Sequence, residues 1–222
     1  MTEWQYDAVV FDNDGVIVEP TDRAHITDAV CEAFQQLGHD TDREAVDRAV
    51  ANSAGPAGTA GAADVADSID LETFWARREE CAAATQKRLI RNDGKPLYDD
   101  VDVLNSFETR VGMVSNNQAE TVAFIVDHYG LEFFETVYGR EPTVAGAGRK
   151  KPDPYYLEQA LSDLGTRDAL YVGDSQVDVE AARRAGVDSA FLRREQSADV
   201  DLTVEPTYEV PDLRALADVV RA

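Results

Sequence analysis

Cysteine is scarce in this chain of 222 residues: Cys31 and Cys81 are its only two, they lack C-x-x-C spacing, and their neighbours read as two helices. Buried free thiols are therefore expected rather than a disulfide. Lysine is nearly as rare, occurring only at 87, 95, 150 and 151. With no basic stripe, binding to a nucleic-acid backbone is not expected. Long apolar runs are missing as well, none approaching the roughly 18 residues that span a bilayer. The start, Met1-Thr2-Glu3, is acidic where a leader would be basic. These absences predict a cytoplasmic protein without membrane contact.

What the chain has is acid. Forty-three Asp and Glu face 21 Lys and Arg, a formal net charge of −22 with a pI near 4.3. A hydrophobic content of 44% still fits a folded protein and not a disordered one. The length allows one large domain, or a domain carrying an insertion. Self-repulsion on this scale is tolerated when salt screens it, since the Debye length falls to roughly 3 Å at 1 M. A halophilic setting is expected, with an acidic docking surface for a basic partner as the alternative.

The run Ala8-Val9-Val10-Phe11 reads as a buried parallel strand that ends in Asp12-Asn13-Asp14-Gly15. Alternation puts Asp12 and Asp14 on one side, where two carboxylates repel unless a cation such as Mg²⁺ separates them. The spacing alone decides nothing, because Asp-x-Asp recurs at 40/42, 100/102 and 199/201. Only the first pair follows an apolar strand and precedes glycine.

From Thr21 apolar spacing predicts a helix ending at Gly38, with Arg23 and His25 near its start and able to face the carboxylates. Further helices are expected over 43–50 and 70–91, the latter aligning Leu71, Phe74, Trp75, Arg78, Cys81 and Ala82 on one face. Between them, the Gly- and Ala-rich stretch 51–63 reads as a loop, either a linker or a substrate-facing segment. Strands then alternate with helices: strands at 111–114, 136–138, 169–172 and 189–192, and helices carrying Val122, Leu157 and Leu216. Asp153 reads as an N-cap with Pro154 at the first helical position. This order predicts an α/β doubly wound parallel sheet whose ligands lie beyond the carboxyl ends of its strands. Residues 1–18 and 97–222 would form the α/β core, and 19–96 an inserted helical domain.

At that edge the pattern collects Asp12 and Asp14, Ser115 and Asn116, Lys151, and Asp174 and Asp178. Ser115-x-x-Gln118 and Ser175-x-x-Asp178 also read as capping boxes with no other duty. In order along the chain, D-N-D-G, the strand-ending S-N, K-P and G-D-S-x-x-D resemble the four motifs of the haloacid dehalogenase superfamily. The match is to its phosphatase branch with a helical cap after the first motif, the branch of phosphoglycolate phosphatase and β-phosphoglucomutase-like proteins. It covers residues 6–192.

The resemblance implies that Asp12 is a nucleophile forming an aspartyl-phosphate and Asp14 a general acid and base. Mg²⁺ would be held by Asp12, the Asp14 carbonyl and Asp174, with Asp178 either supporting the metal or only capping its helix. Ser115, Asn116 and Lys151 would bind the phosphoryl group, Lys151 being preferred to Lys150 because it directly precedes the proline. Arg23 is a further candidate for substrate binding. The partner is a small-molecule phosphate ester, and the chain a monomer or homodimer.

Other readings remain. Sugar phosphomutases share the scaffold, and phosphonate hydrolases use a cap lysine, for which Lys87 is the weak candidate. A receiver-type signalling module is also doubly wound, but its phosphorylated Asp ends a middle strand. A binding protein without catalysis on this fold has no supporting residue.

Overall fold

Strand β1 (Ala8–Phe11) feeds two cores, because its alternate residues leave on opposite faces. In the computed structural model, which describes residues 4–51 and 69–221, Val9 and Phe11 join one cluster while Ala8 and Val10 join another. All four are fully buried, as the uninterrupted apolar run requires.

The chain leaves β1 into helices α1 (Arg23–Gln36), α2 (Arg43–Ala51) and α3 (Leu71–Arg91). These pack on one another: Val30 and Phe34 meet Val46 and Phe74, and Ala29 and Ala33 meet Cys81 and Ala82. Side-chain carboxylates of Asp22 and Asp70 cap α1 and α3. The 51–63 loop lies outside the described residues except for Ala51, the last residue of α2. Leu71, expected on the inner face of α3, is instead 39% exposed, because it stands in the first turn before the packed stretch begins.

A 3₁₀ turn (Val101–Ser106) returns the chain to β2 (Arg110–Gln118), α4 (Ala119–Tyr129) and β3 (Thr136–Arg140). Then follow α5 (Val144–Gly148), α6 (Tyr155–Leu164), β4 (Ala169–Gly173), α7 (Gln176–Ala185), β5 (Asp188–Leu192), β6 (Tyr208–Val210) and α8 (Leu213–Val220). The six strands form one parallel sheet in the order β3-β2-β1-β4-β5-β6. Helices α4 and α8 cover one face and α6 and α7 the other. The expected doubly wound sheet is thus present, with β1 at the point where the strand order reverses.

Two local expectations fail. Strand β2 continues to Gln118 by pairing with Arg140 of β3 past a bulge, so Ser115 does not cap the next helix. Its Oγ accepts instead from the Asn117 N–H at 3.1 Å. Helix α6 starts one residue late, with Pro154 at the N-cap, and Asp153 Oδ1 accepts from the Tyr155 N–H at 2.9 Å. The Ser175 and Asp178 capping box does form.

No helix among the described residues is long and apolar enough to cross a membrane.

Candidate active site at the strand ends

Beyond Phe11 the backbone folds into a tight loop in which the Asn13 carbonyl accepts from the N–H groups of Ile17 (2.8 Å) and Val18 (3.0 Å). Gly15 makes this possible with φ 85°, and an added Cβ there would overlap the Asp174 carboxylate. Gly173 likewise leaves the space that the Asp178 side chain fills. Glycine therefore lets the ends of β1 and β4 bring Asp12, Asp174 and Asp178 together, and oxygens of the three carboxylates lie within 4.8 Å of one another.

Lys151 ties this group to the sheet. Its Nζ is 2.7 Å from Asp12 Oδ1 and 2.7 Å from Asp178 Oδ1, donates to the Tyr171 hydroxyl at 2.8 Å, and also reaches the Val114 carbonyl at 3.3 Å. All four partners come from elements meeting at one sheet edge. Asp12, Lys151 and Asp178 are buried. Burial opposes an ammonium here, yet Asp12 and Asp178 hold the Lys151 pKa well above its usual value.

Three carboxylates against one ammonium leave negative charge in excess. Burial, followed by repulsion from Asp178, pushes the Asp174 carboxyl up to about 7. Burial also raises Asp12, against the pull of Lys151 and with the push of Asp178 and Asp174. An all-oxygen cluster with this excess suits a hard divalent cation, which would remove the repulsion and restore both carboxylates.

Asp14 has a separate environment. Lys95, wholly buried, donates to its Oδ1, while Asn13 Nδ2 (3.1 Å) and Asn117 Nδ2 (3.2 Å) donate to Oδ2. Burial raises the Asp14 pKa, but Lys95 and the two amides outweigh it and the net shift is downward. Lys95 is held in turn by Thr21 Oγ1 at 2.7 Å and Gln86 Oε1 at 3.4 Å. In the sequence Lys95 stands out only as one of four lysines in a chain that uses so few.

Of the other expected residues, Ser115 and Asn116 follow the buried part of β2, and Asn116 clasps the lysine loop. Its Oδ1 accepts from the Lys151 N–H at 2.7 Å and its Nδ2 donates to the Lys151 carbonyl at 3.2 Å. Asp178 combines two duties: Oδ2 accepts from the Ser175 N–H at 3.1 Å, and Oδ1 meets Lys151. Arg23 is not brought to the cluster. It lies 3.3 Å from Asp47, largely exposed, because the start of α1 faces α2. Lys87 likewise pairs with Glu120 at 3.0 Å.

A family model described as haloacid dehalogenase-like hydrolase matches residues 6–186. A phosphoglycolate phosphatase of Aquifex aeolicus is 32% identical over 123 residues, 51% of this chain and 56% of that protein. The chain thus spans little more than half of that curated relative. In fold, CbbY from Rhodobacter sphaeroides, solved in complex with phosphate, superposes with a TM-score of 0.71 at 19% identity, covering 95% of this chain and 96% of its own. A HAD phosphatase from Thermococcus onnurineus gives 0.64 at 20% identity, covering 96% of each chain.

Proposed function

The chain belongs to the haloacid dehalogenase-like hydrolases, and from that premise we propose that it is a Mg²⁺-dependent hydrolase of small phosphate monoesters. The observation that carries this reading is the buried Lys151 ammonium bridging Asp12 and Asp178 beside Asp174. Residues 1–18 and 97–222 are the catalytic core in this reading, and 19–96 the cap that closes over it.

Asp12 Oδ1 is engaged by Lys151 and by the Asn13 N–H at 2.7 Å. Oδ2 is therefore the oxygen that attacks phosphorus, forming the Asp12–phosphate bond as the ester P–O bond breaks. Asp14, held as a carboxylate by Lys95 in the resting site, takes up the proton of the monoester monoanion and gives it to the leaving oxygen. It then takes a proton from the water that attacks the aspartyl-phosphate, so that Asp12 returns as a carboxylate and inorganic phosphate leaves. Lys151 and Ser115 offset charge on the phosphoryl oxygens, and Asn116 fixes the loop that carries Lys151. Asp12, Asp174 and the Asp14 carbonyl, supported by Asp178, would hold Mg²⁺, which when bound neutralises and orients the phosphoryl group.

The net charge of −22 supports activity in concentrated salt inside the cell. Phosphate release from p-nitrophenyl phosphate and small sugar phosphates in high salt, with and without Mg²⁺, tests the proposal. Wild type should release phosphate only with the metal, and Asp12→Asn and Asp14→Asn should not. Release that persists in Asp12→Asn overturns the covalent route. Isomerisation of a sugar phosphate without net release identifies a mutase instead.

A further inference from the structure

Asn13 stands between Asp12 and Asp14 and has no exposed surface. Its backbone is fully engaged: the N–H donates to Asp12 Oδ1 at 2.7 Å, and the carbonyl gathers the N–H groups of Val16, Ile17 and Val18 at 3.3, 2.8 and 3.0 Å. The side chain is only half engaged. Nδ2 donates to Asp14 Oδ2 at 3.1 Å, whereas Oδ1 is buried and has no hydrogen-bond partner among the described residues.

A buried amide oxygen without a donor opposes folding, and such atoms are rare in native proteins. An apolar side chain at this position would avoid the penalty. Turning the amide over does not relieve it, because Oδ1 would then face the Asp14 carboxylate, oxygen against oxygen. Asp14 therefore dictates how Asn13 is oriented. The other two donors to Asp14 have further partners. Lys95 also meets Thr21 and Gln86. Asn117 forms a reciprocal pair with Gln86, accepting from its Nε2 at 2.8 Å and donating to its Oε1 at 2.7 Å, and Asn117 Oδ1 also accepts from the Gln118 N–H at 3.0 Å. Those two residues join the helical insertion to the sheet. The Asn13 amide, presented from a loop that its own carbonyl holds rigid, serves Asp14 alone among the described residues.

We propose that Asn13 is a positioning residue that fixes the rotation of the Asp14 carboxylate and so aims the acid and base at the leaving oxygen. Lys95 grips Oδ1 and by itself leaves the carboxylate free to swing about that contact; the amides on Oδ2 stop the swing. The inference rests on the phosphatase reading of Asp12 and Asp14. Its signature is selective, since a basic leaving group needs the proton that Asp14 delivers and a weakly basic one departs without it.

Asn13→Leu, which keeps the branched shape, and Asn13→Ala test it on ethyl phosphate and p-nitrophenyl phosphate. The ratio kcat/KM covers the steps up to the aspartyl-phosphate, where Asp14 acts as acid. Both variants should cut it about tenfold for ethyl phosphate but only about two- to threefold for p-nitrophenyl phosphate. Asn13→Leu should melt no lower than wild type, because the unpaired oxygen leaves with the amide. Crystal structures of wild type and Asn13→Leu without substrate read the aim directly, and the Asp14 carboxylate should be rotated in the variant. Equal losses on the two esters, or an unmoved Asp14, overturn the positioning role and leave the phosphatase reading intact. If wild type hydrolyses neither ester while Asp14 rotates in Asn13→Leu, the phosphatase reading fails and the placement of Asp14 by Asn13 stands. If there is neither hydrolysis nor rotation, both fail.

Discussion

Lys95, with no exposed surface, donates its ammonium to Asp14, 81 residues earlier in the chain. The pair joins the end of the helical insertion to the loop that carries the proposed acid and base. The Lys95 carbonyl is itself fixed by the Tyr129 hydroxyl at 2.6 Å, so the lysine is anchored at both ends. Replacing it leaves Asp14 with two amides in a half-buried pocket. Lys95→Met should destabilise the protein by about 2–3 kcal/mol, less than a fully enclosed pair would cost because Asp14 is 28% exposed. Turnover should fall about ten- to a hundredfold as Asp14 loses its position. Chemical denaturation and steady-state kinetics check both; unchanged stability would mean that the pair contributes nothing.

Much of this site was legible because the strands that carry it are apolar runs stopped by acid or small polar residues. Asp12, Lys151, Asp174 and Asp178 meet where the topology returns β1 and β4 side by side, and Ser115 stands in the neighbouring β2. Lys95 was not, since it belongs to no apolar or acidic pattern and its partner Asp14 is 81 residues away. Arg78 was visible only as an arginine on the otherwise apolar face of α3, and its surroundings depend on Arg140 and Lys150 arriving from the sheet domain. Arg23 shows the converse. Nearness to Asp14 in sequence promised contact, but the turn of α1 gave it to Asp47. Strand β6 has three residues, too short to show a period.

Gly15 offers a test of the acidic cluster that does not depend on activity. A side chain at φ 85° is strained, and its Cβ would collide with the Asp174 carboxylate. Gly15→Ala should therefore cost about 1–3 kcal/mol and displace Asp174. Wild type should melt at a higher temperature with Mg²⁺ than with EDTA, because a ligand bound only by the native state stabilises it. That increment should be largely lost in Gly15→Ala. An undiminished Mg²⁺ increment would remove Asp174 from the metal site.

Salt should act on the whole molecule. Excess negative charge is spread over the surface, and many surface pairs, such as Arg43–Asp28 at 2.8 Å, are exposed and individually weak. Screening of the general repulsion therefore outweighs screening of these pairs. The melting temperature should fall as salt is lowered from molar to millimolar, and should recover on returning salt. A melting temperature independent of salt would end the halophilic reading.

Lys150 gives stability a pH dependence that one substitution isolates. Its pKa lies at about 8 in the folded chain against 10.5 for the ordinary group, because burial and the facing Arg140 and Arg78 outweigh Glu79. The folded state thus sheds this proton before the unfolded chain does. Stability rises with pH wherever the unfolded state holds more protons, so the destabilising effect of Lys150 is complete below about pH 8 and is lifted as pH climbs toward 10.5. Lys150→Gln removes the charge, and should be more stable than wild type at pH 7 with an advantage that shrinks across this interval. Tyrosines and the two thiols titrate nearby, but they are common to both proteins and cancel in the difference. Parallel stability curves for the two proteins would show that Lys150 is an ordinary solvated lysine.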